Sequence, residues 1–90
     1  MKIEYDPAKR ELTLVHRGLD MARAGEVFDG ATLTIIDDRM DYGETRFITV
    51  GKLEGRMVVA VWTERGDARR IVSLRKANER EQKIYGKRLE

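Results

Sequence analysis

The groups in this chain that could do chemistry are arginines, a carboxylate and a hydroxyl set two residues apart on short alternating runs. Glu44 and Arg46 are spaced this way in ETRFITV, and Ser73 and Arg75 in RIVSLRK. Residues two apart in an extended strand project to one face. Arg70 falls on the opposite face of its run unless a bulge or twist re-aims it. A sheet face carrying several arginines, a carboxylate and a hydroxyl has what is needed to hold a phosphodiester. Guanidinium groups pair with phosphate through a planar fork and stabilise negative charge that builds in a transition state. A carboxylate can move the proton. RNA brings its own nucleophile, the 2′-hydroxyl, so neither a metal nor an enzyme nucleophile is required, and DNA lacks that group.

Other chemistries find little support. The chain has no cysteine and one histidine, His16, which rules out thiolate metal sites and a two-histidine site within one chain. Asp37, Asp38, Asp41 and Glu44 form an acidic cluster without the glycine and terminal glutamate placement of a calcium-binding loop, and read as a solvated or partner-facing loop. Neither GxGxxG nor GxxxxGK[ST] occurs. Ser73 lacks the flanking glycines of a nucleophile elbow. The aromatic residues are scattered, so base stacking on paired strand aromatics is not expected. Phe28, Phe47 and Trp62 read as core, Tyr42 and Tyr85 as more open. His16 also suits a helix C-terminus as a favourable cation.

A small scaffold must position these groups. Ninety residues suit a single domain, 1–90, with one modest core. Ile3 and Tyr5 alternate with Lys2 and Glu4 as a short strand. Asp6-Pro7 is a helix start, and Ala8, Leu12 and Val15 share one face of the helix that Gly18 ends. A second helix follows Asp20, with Met21, Ala24, Val27 and Phe28 as its apolar face. From Thr32 the period changes to 2. Strands are expected over 32–36, 44–50, 56–63 and 69–75, with turns at Gly51–Gly55 and Arg65-Gly66-Asp67. A last helix over 76–85 carries Ala77, Glu81 and Ile84 on one side. The order β-α-α-β-β-β-β-α, with tight turns between strands, implies an α+β fold with an antiparallel sheet and packed helices.

Charge is uneven along this scaffold. Residues 1–45 hold 6 Lys and Arg against 10 Asp and Glu, a balance of −4; residues 46–90 hold 12 against 6, a balance of +6. A basic half on a small domain points to an anionic polymer as partner. The start, MKIEYDPAKRE, has no apolar signal region, and no run approaches a membrane span, so a cytoplasmic protein without membrane contact is expected.

Asp6-x-x-Lys9, Gly18, Val27-Phe28, Asp41-Tyr42-Gly43-Glu44-x-Arg46, Gly51, Thr63-Glu64-Arg65, Arg70-Ile71-Val72-Ser73-x-Arg75-Lys76-Ala77, and Glu81 with Tyr85 together resemble the BrnT family of toxins. The resemblance spans nearly the whole chain. It departs from the family pattern at Tyr5, Thr13 and Met21, and at His16-Arg17-Gly18, where relatives carry Lys-His-Gly. The resemblance implies a RelE-like fold, ribonuclease activity that halts translation, and neutralisation by a BrnA-type ribbon-helix-helix antitoxin. Operator DNA would be held only through the antitoxin complex. On this reading Arg46, Arg70 and Arg75 neutralise the scissile phosphate, and Ser73 orients one of its oxygens. Glu44, or His16 if it reaches, is the base. Lys9, Arg17, Arg65 and Lys76 hold RNA, and no metal or cofactor is expected. The alternative is a catalytically degenerate toxin that serves as a corepressor with its antitoxin.

Overall fold

Asp6 and Pro7 set the first boundary. In the computed structural model, which describes residues 2–89, strand β1 (Lys2–Tyr5) gives way to helix α1 (Pro7–Arg17). The Asp6 carboxylate accepts from the Ala8 amide at 2.9 Å, and proline takes the first turn, where its missing N–H costs nothing. Gly18 ends the helix in the left-handed conformation at φ 68°. Asp20 then caps a short 3-10 turn, Met21–Arg23, which runs into α2 (Ala24–Asp29). Strands β2 (Leu33–Asp37), β3 (Arg46–Leu53), β4 (Arg56–Arg65) and β5 (Ala68–Lys76) follow. Helix α3 (Glu79–Tyr85) and a 3-10 turn, Gly86–Leu89, are the last described elements. Asn78 and Glu81 cap α3 reciprocally, so it starts later than the apolar pattern suggests.

The five-stranded sheet has the order β1-β5-β4-β3-β2. β2 to β5 form an antiparallel meander. The expectation of a wholly antiparallel sheet fails at one edge: β1 lies parallel to β5, with Ile3 beside Arg69 and Tyr5 beside Ile71. The helices carry the chain back before the meander begins, and β5 returns alongside β1. The result is an α+β fold with an open, mostly antiparallel sheet.

One face of the sheet packs Val58, Ala60, Trp62, Ile71 and Leu74 against Met21, Ala24 and Val27. Trp62 donates from its indole nitrogen to the Thr49 hydroxyl at 2.8 Å, which satisfies a buried donor. The other face packs Val50, Met57 and Val59 against Ala77 and Leu89. Ile84, expected on the same side of the last helix as Ala77, is exposed, whereas Ala77 is buried ahead of α3.

Two other expectations fail here. Gly51 is not part of a turn but lies inside β3, and the chain reverses at Glu54-Gly55, both with positive φ. The apolar spacing of Ala8, Leu12 and Val15 does not face the core: α1 buries only Thr13. Leu12 is 58% and Val15 69% exposed. The helix is held instead by polar contacts. Arg10 grips Asp20 through two hydrogen bonds of 2.7 and 2.9 Å, and Arg17 donates to the Leu74 carbonyl at 2.9 Å.

These pairings set an acid limit on stability. Arg10 holds the Asp20 carboxyl down at about 2, and Arg75 holds the Glu81 carboxyl down at about 2. Both groups are ionised more easily folded than unfolded. Their contribution is therefore complete above the ordinary carboxylate range and lost as pH falls through about 2. Thermal unfolding should hold its midpoint from neutral pH to about 5 and decline between about 4.5 and 2. Glu81→Gln should make that decline shallower, as circular dichroism melts across pH would record.

Candidate RNA-binding cleft

The arrangement of side chains on the arginine face depends on one irregularity in β5. Ile71 pairs with Trp62 and Ser73 with Val61, so Val72 has no counterpart on β4. The bulge lets Ile71 and Leu74, three positions apart, both enter the same core cluster. It also shifts the phase of the alternation. Arg70 stands opposite Thr63, Ser73 opposite Val61 and Arg75 opposite Val59. All three partners share one face of β4, so Arg70 joins Ser73 and Arg75 on that face. This is the re-aiming on which a shared arginine face depends.

On that face a cleft of about 170 Å³ is lined by Lys9, Glu44, Arg46, Thr63, Arg65 and Arg70. Glu44 is central. Arg65 approaches its carboxylate at 3.7 Å and Arg46 at 4.0 Å, both long for ion pairs. Thr63 lies 3.3 Å from the same carboxylate but 2.8 Å from the Thr45 carbonyl. A hydroxyl has one proton, and the shorter contact takes it. Glu44 is therefore a carboxylate among arginines with no tight hydrogen bond of its own. Arg46 lies over Tyr42, its guanidinium carbon 4.0 Å from the ring centre. Its Nε is buried without a hydrogen-bond partner. Arg70 and Lys9 make no ion pair among the described residues.

A second cleft, about 390 Å³, runs on from the first and shares Lys9 and Val72 with it. His16, Arg17, Thr13 and Ser73 line it. It exists because β1 ends at Tyr5 and leaves the later part of β5 unpaired on that side. α1 lies along this open edge, where Arg17 covers the Leu74 carbonyl.

The structure thus gathers Lys9, Glu44, Arg46, Arg65 and Arg70 in one cleft, and places His16, Arg17 and Ser73 in its continuation. Arg75 and Lys76 line neither. Arg75 shares the arginine face but is bound by Glu81 through two hydrogen bonds of 2.8 Å. Lys76 lines a separate pocket with Met57, Ala77 and Gln82.

Sequence reasoning placed Thr63 in a motif without giving it a role, and it passed over the support beneath Tyr42. The Asp37 side chain is buried, accepting from Arg39 at 2.7 and 2.8 Å and from the Tyr42 hydroxyl at 3.2 Å. Those donors hold its carboxyl far below the usual range. Asp37 thereby anchors the ring on which Arg46 rests. The available signal was its place at the end of the β-branched run in DDRMDYG, where it read as loop. Among the described residues, no three histidine or carboxylate side chains converge as a metal site would require.

A family model described as "Ribonuclease toxin, BrnT, of type II toxin-antitoxin system" matches residues 5–81. The match contains both clefts and the bulge. No curated protein matches the chain.

Proposed function

The chain belongs to the BrnT family of ribonuclease toxins of type II toxin–antitoxin systems, and from that premise we propose that it cleaves RNA in the Glu44 cleft by a metal-independent attack of the 2′-hydroxyl. The carrying observation is a loosely held carboxylate surrounded by Arg46, Arg65 and Arg70. Glu44 accepts the 2′-hydroxyl proton, and the 2′-oxygen bonds to phosphorus. The bond from phosphorus to the 5′-oxygen breaks, and that oxygen leaves with a proton from solvent. The products are a 2′,3′-cyclic phosphate and a 5′-hydroxyl end. Arg46, Arg65 and Arg70 balance the extra negative charge on the phosphoryl oxygens during the step. Lys9, His16 and Arg17 hold the strand along the continuing cleft, with Ser73 as a hydroxyl donor to phosphate. Arg75, already neutralised by Glu81, contributes to the field rather than to the phosphate contact.

On this reading the fold is RelE-like, the domain spans 1–90, and the protein works in the cytoplasm, where RNA cleavage halts translation. The neutralising partner is a BrnA-type ribbon-helix-helix antitoxin, through which the complex reaches operator DNA. The test is cleavage of a single-stranded RNA by the purified chain with EDTA present. Cleavage should persist, leave cyclic phosphate ends, and stop at any position carrying a 2′-deoxy sugar. Cleavage that requires added metal, or that continues at deoxy positions, would overturn the mechanism. A well-folded chain that binds RNA but never cuts it would instead favour the corepressor role.

A further inference from the structure

We infer that the outward stripe of α1 is the seat of the antitoxin, taken as an amphipathic, acidic segment whose apolar residues pack on Leu12 and Val15. This rests on the family's antitoxin partnership and adds the surface and its chemistry. Leu12 and Val15 have helical spacing yet lie 58% and 69% exposed. The helix turns the opposite way from its own pattern: its one buried residue, Thr13, stands roughly 130° around the axis from the stripe. An apolar stripe left in water on a helix held by polar contacts is a surface kept for a partner.

Charge names the kind of partner. Lys9 and His16 flank the stripe on the cleft side, and Arg17 lies beyond them, with Leu12 lining the same cleft. A segment seated on Leu12 and Val15 would meet cations along that flank. It must therefore carry carboxylates next to its apolar residues. RNA fits the cations but not the stripe, since leucine and valine offer a phosphate nothing. A segment placed here would also lie across the mouth of the cleft that shares Lys9 with the Glu44 site. Neutralisation would follow from occupying one helix, without any contact to Glu44.

The experiment uses the full chain with its co-expressed cognate antitoxin. Val15 lines neither cleft, so Val15→Asp should leave cleavage of naked RNA unchanged. It should weaken antitoxin affinity by about 30-fold or more, the scale of a central interface residue. Val15→Lys should weaken it less, because an acidic segment tolerates a cation. Equal affinity for wild type and Val15→Asp overturns the inference, as does a greater loss for Val15→Lys than for Val15→Asp. The inference also fails if the wild-type chain alone is a dimer that Val15→Asp dissolves, since the stripe would then join two copies. Loss of cleavage by the wild-type chain would count against the ribonuclease mechanism and not against this surface, because affinity is read separately.

Discussion

Arg70→Glu should lower the rate of RNA cleavage by about 100- to 1,000-fold, the scale of removing one charge-stabilising donor from a transition state. Arg70 lines the Glu44 cleft and makes no ion pair among the described residues, so its charge is available to a phosphate. The substituted carboxylate would stand opposite Thr63, on the same face as Glu44, and repel the phosphodiester. The loss should appear in both the turnover rate and the affinity for a non-cleavable 2′-deoxy RNA. Folding should be spared, since Arg70 makes no ion pair whose breakage would matter. Arg75→Ala is the comparison. Its guanidinium is bound to Glu81, so its removal should cost cleavage much less and instead uncap part of the α3 junction. If Arg75→Ala proves the more damaging to cleavage, the reacting phosphate sits further along β5 than the Glu44 cleft.

Gly51→Val should destabilise the fold through overpacking that costs about 3 kcal/mol before any offset. A Cβ at Gly51 would stand 2.7 Å from Cγ1 of Val27 and 3.0 Å from Cγ2 of Thr32. Val27 is fully buried and β-branched, with little room to turn aside. The better strand propensity of valine recovers at most about 1 kcal/mol. The net loss should lower the melting midpoint by about 10 °C in a domain of this size. Gly86→Ala is predicted to act in the opposite sense. That residue has helical backbone angles and open space where the Cβ would go. Restricting the unfolded chain there should stabilise by about 0.5 kcal/mol. A scanning calorimetry comparison of the two glycine variants checks both signs.

Gly51 also shows what a sequence yields and what it withholds. Two glycines bracketing a polar stretch look like a turn, because turns are where glycine is most often needed. Nothing local tells a glycine that permits positive φ from one that lets a helix approach the sheet. The same limit applies to α1. Its spacing of Ala8, Leu12 and Val15 correctly implied a helix, and capping by Asp6 and Gly18 gave its ends. Which side faces inward was settled by distant partners, Asp20 and the Leu74 carbonyl. The meander was legible because its alternation and turn glycines are local. β1 was legible as a strand but not as a neighbour of β5, since pairing across some sixty residues leaves no mark in either segment. In the cleft, Glu44 and Arg46 were legible through two-residue spacing. Thr63 was legible as part of Thr63-Glu64-Arg65 but not as a cleft residue, because its contacts to Glu44 and to the Thr45 carbonyl come from the neighbouring segment.

The extra residue at Val72 makes β5 a strand whose two halves count differently. From Ala68 to Ile71 and from Ser73 to Lys76 the side chains alternate, but the two halves keep opposite parity. Deleting Val72 would merge them into one regular count, with Arg70, Ser73 and Arg75 still on one face and Ile71 and Leu74 still on the other. β5 therefore holds a spare residue that β3 lacks. A one-residue deletion at Val72 should be tolerated far better than one inside β3, where the slip would carry core side chains to the other face. Melting midpoints of the two deletion variants would check the difference.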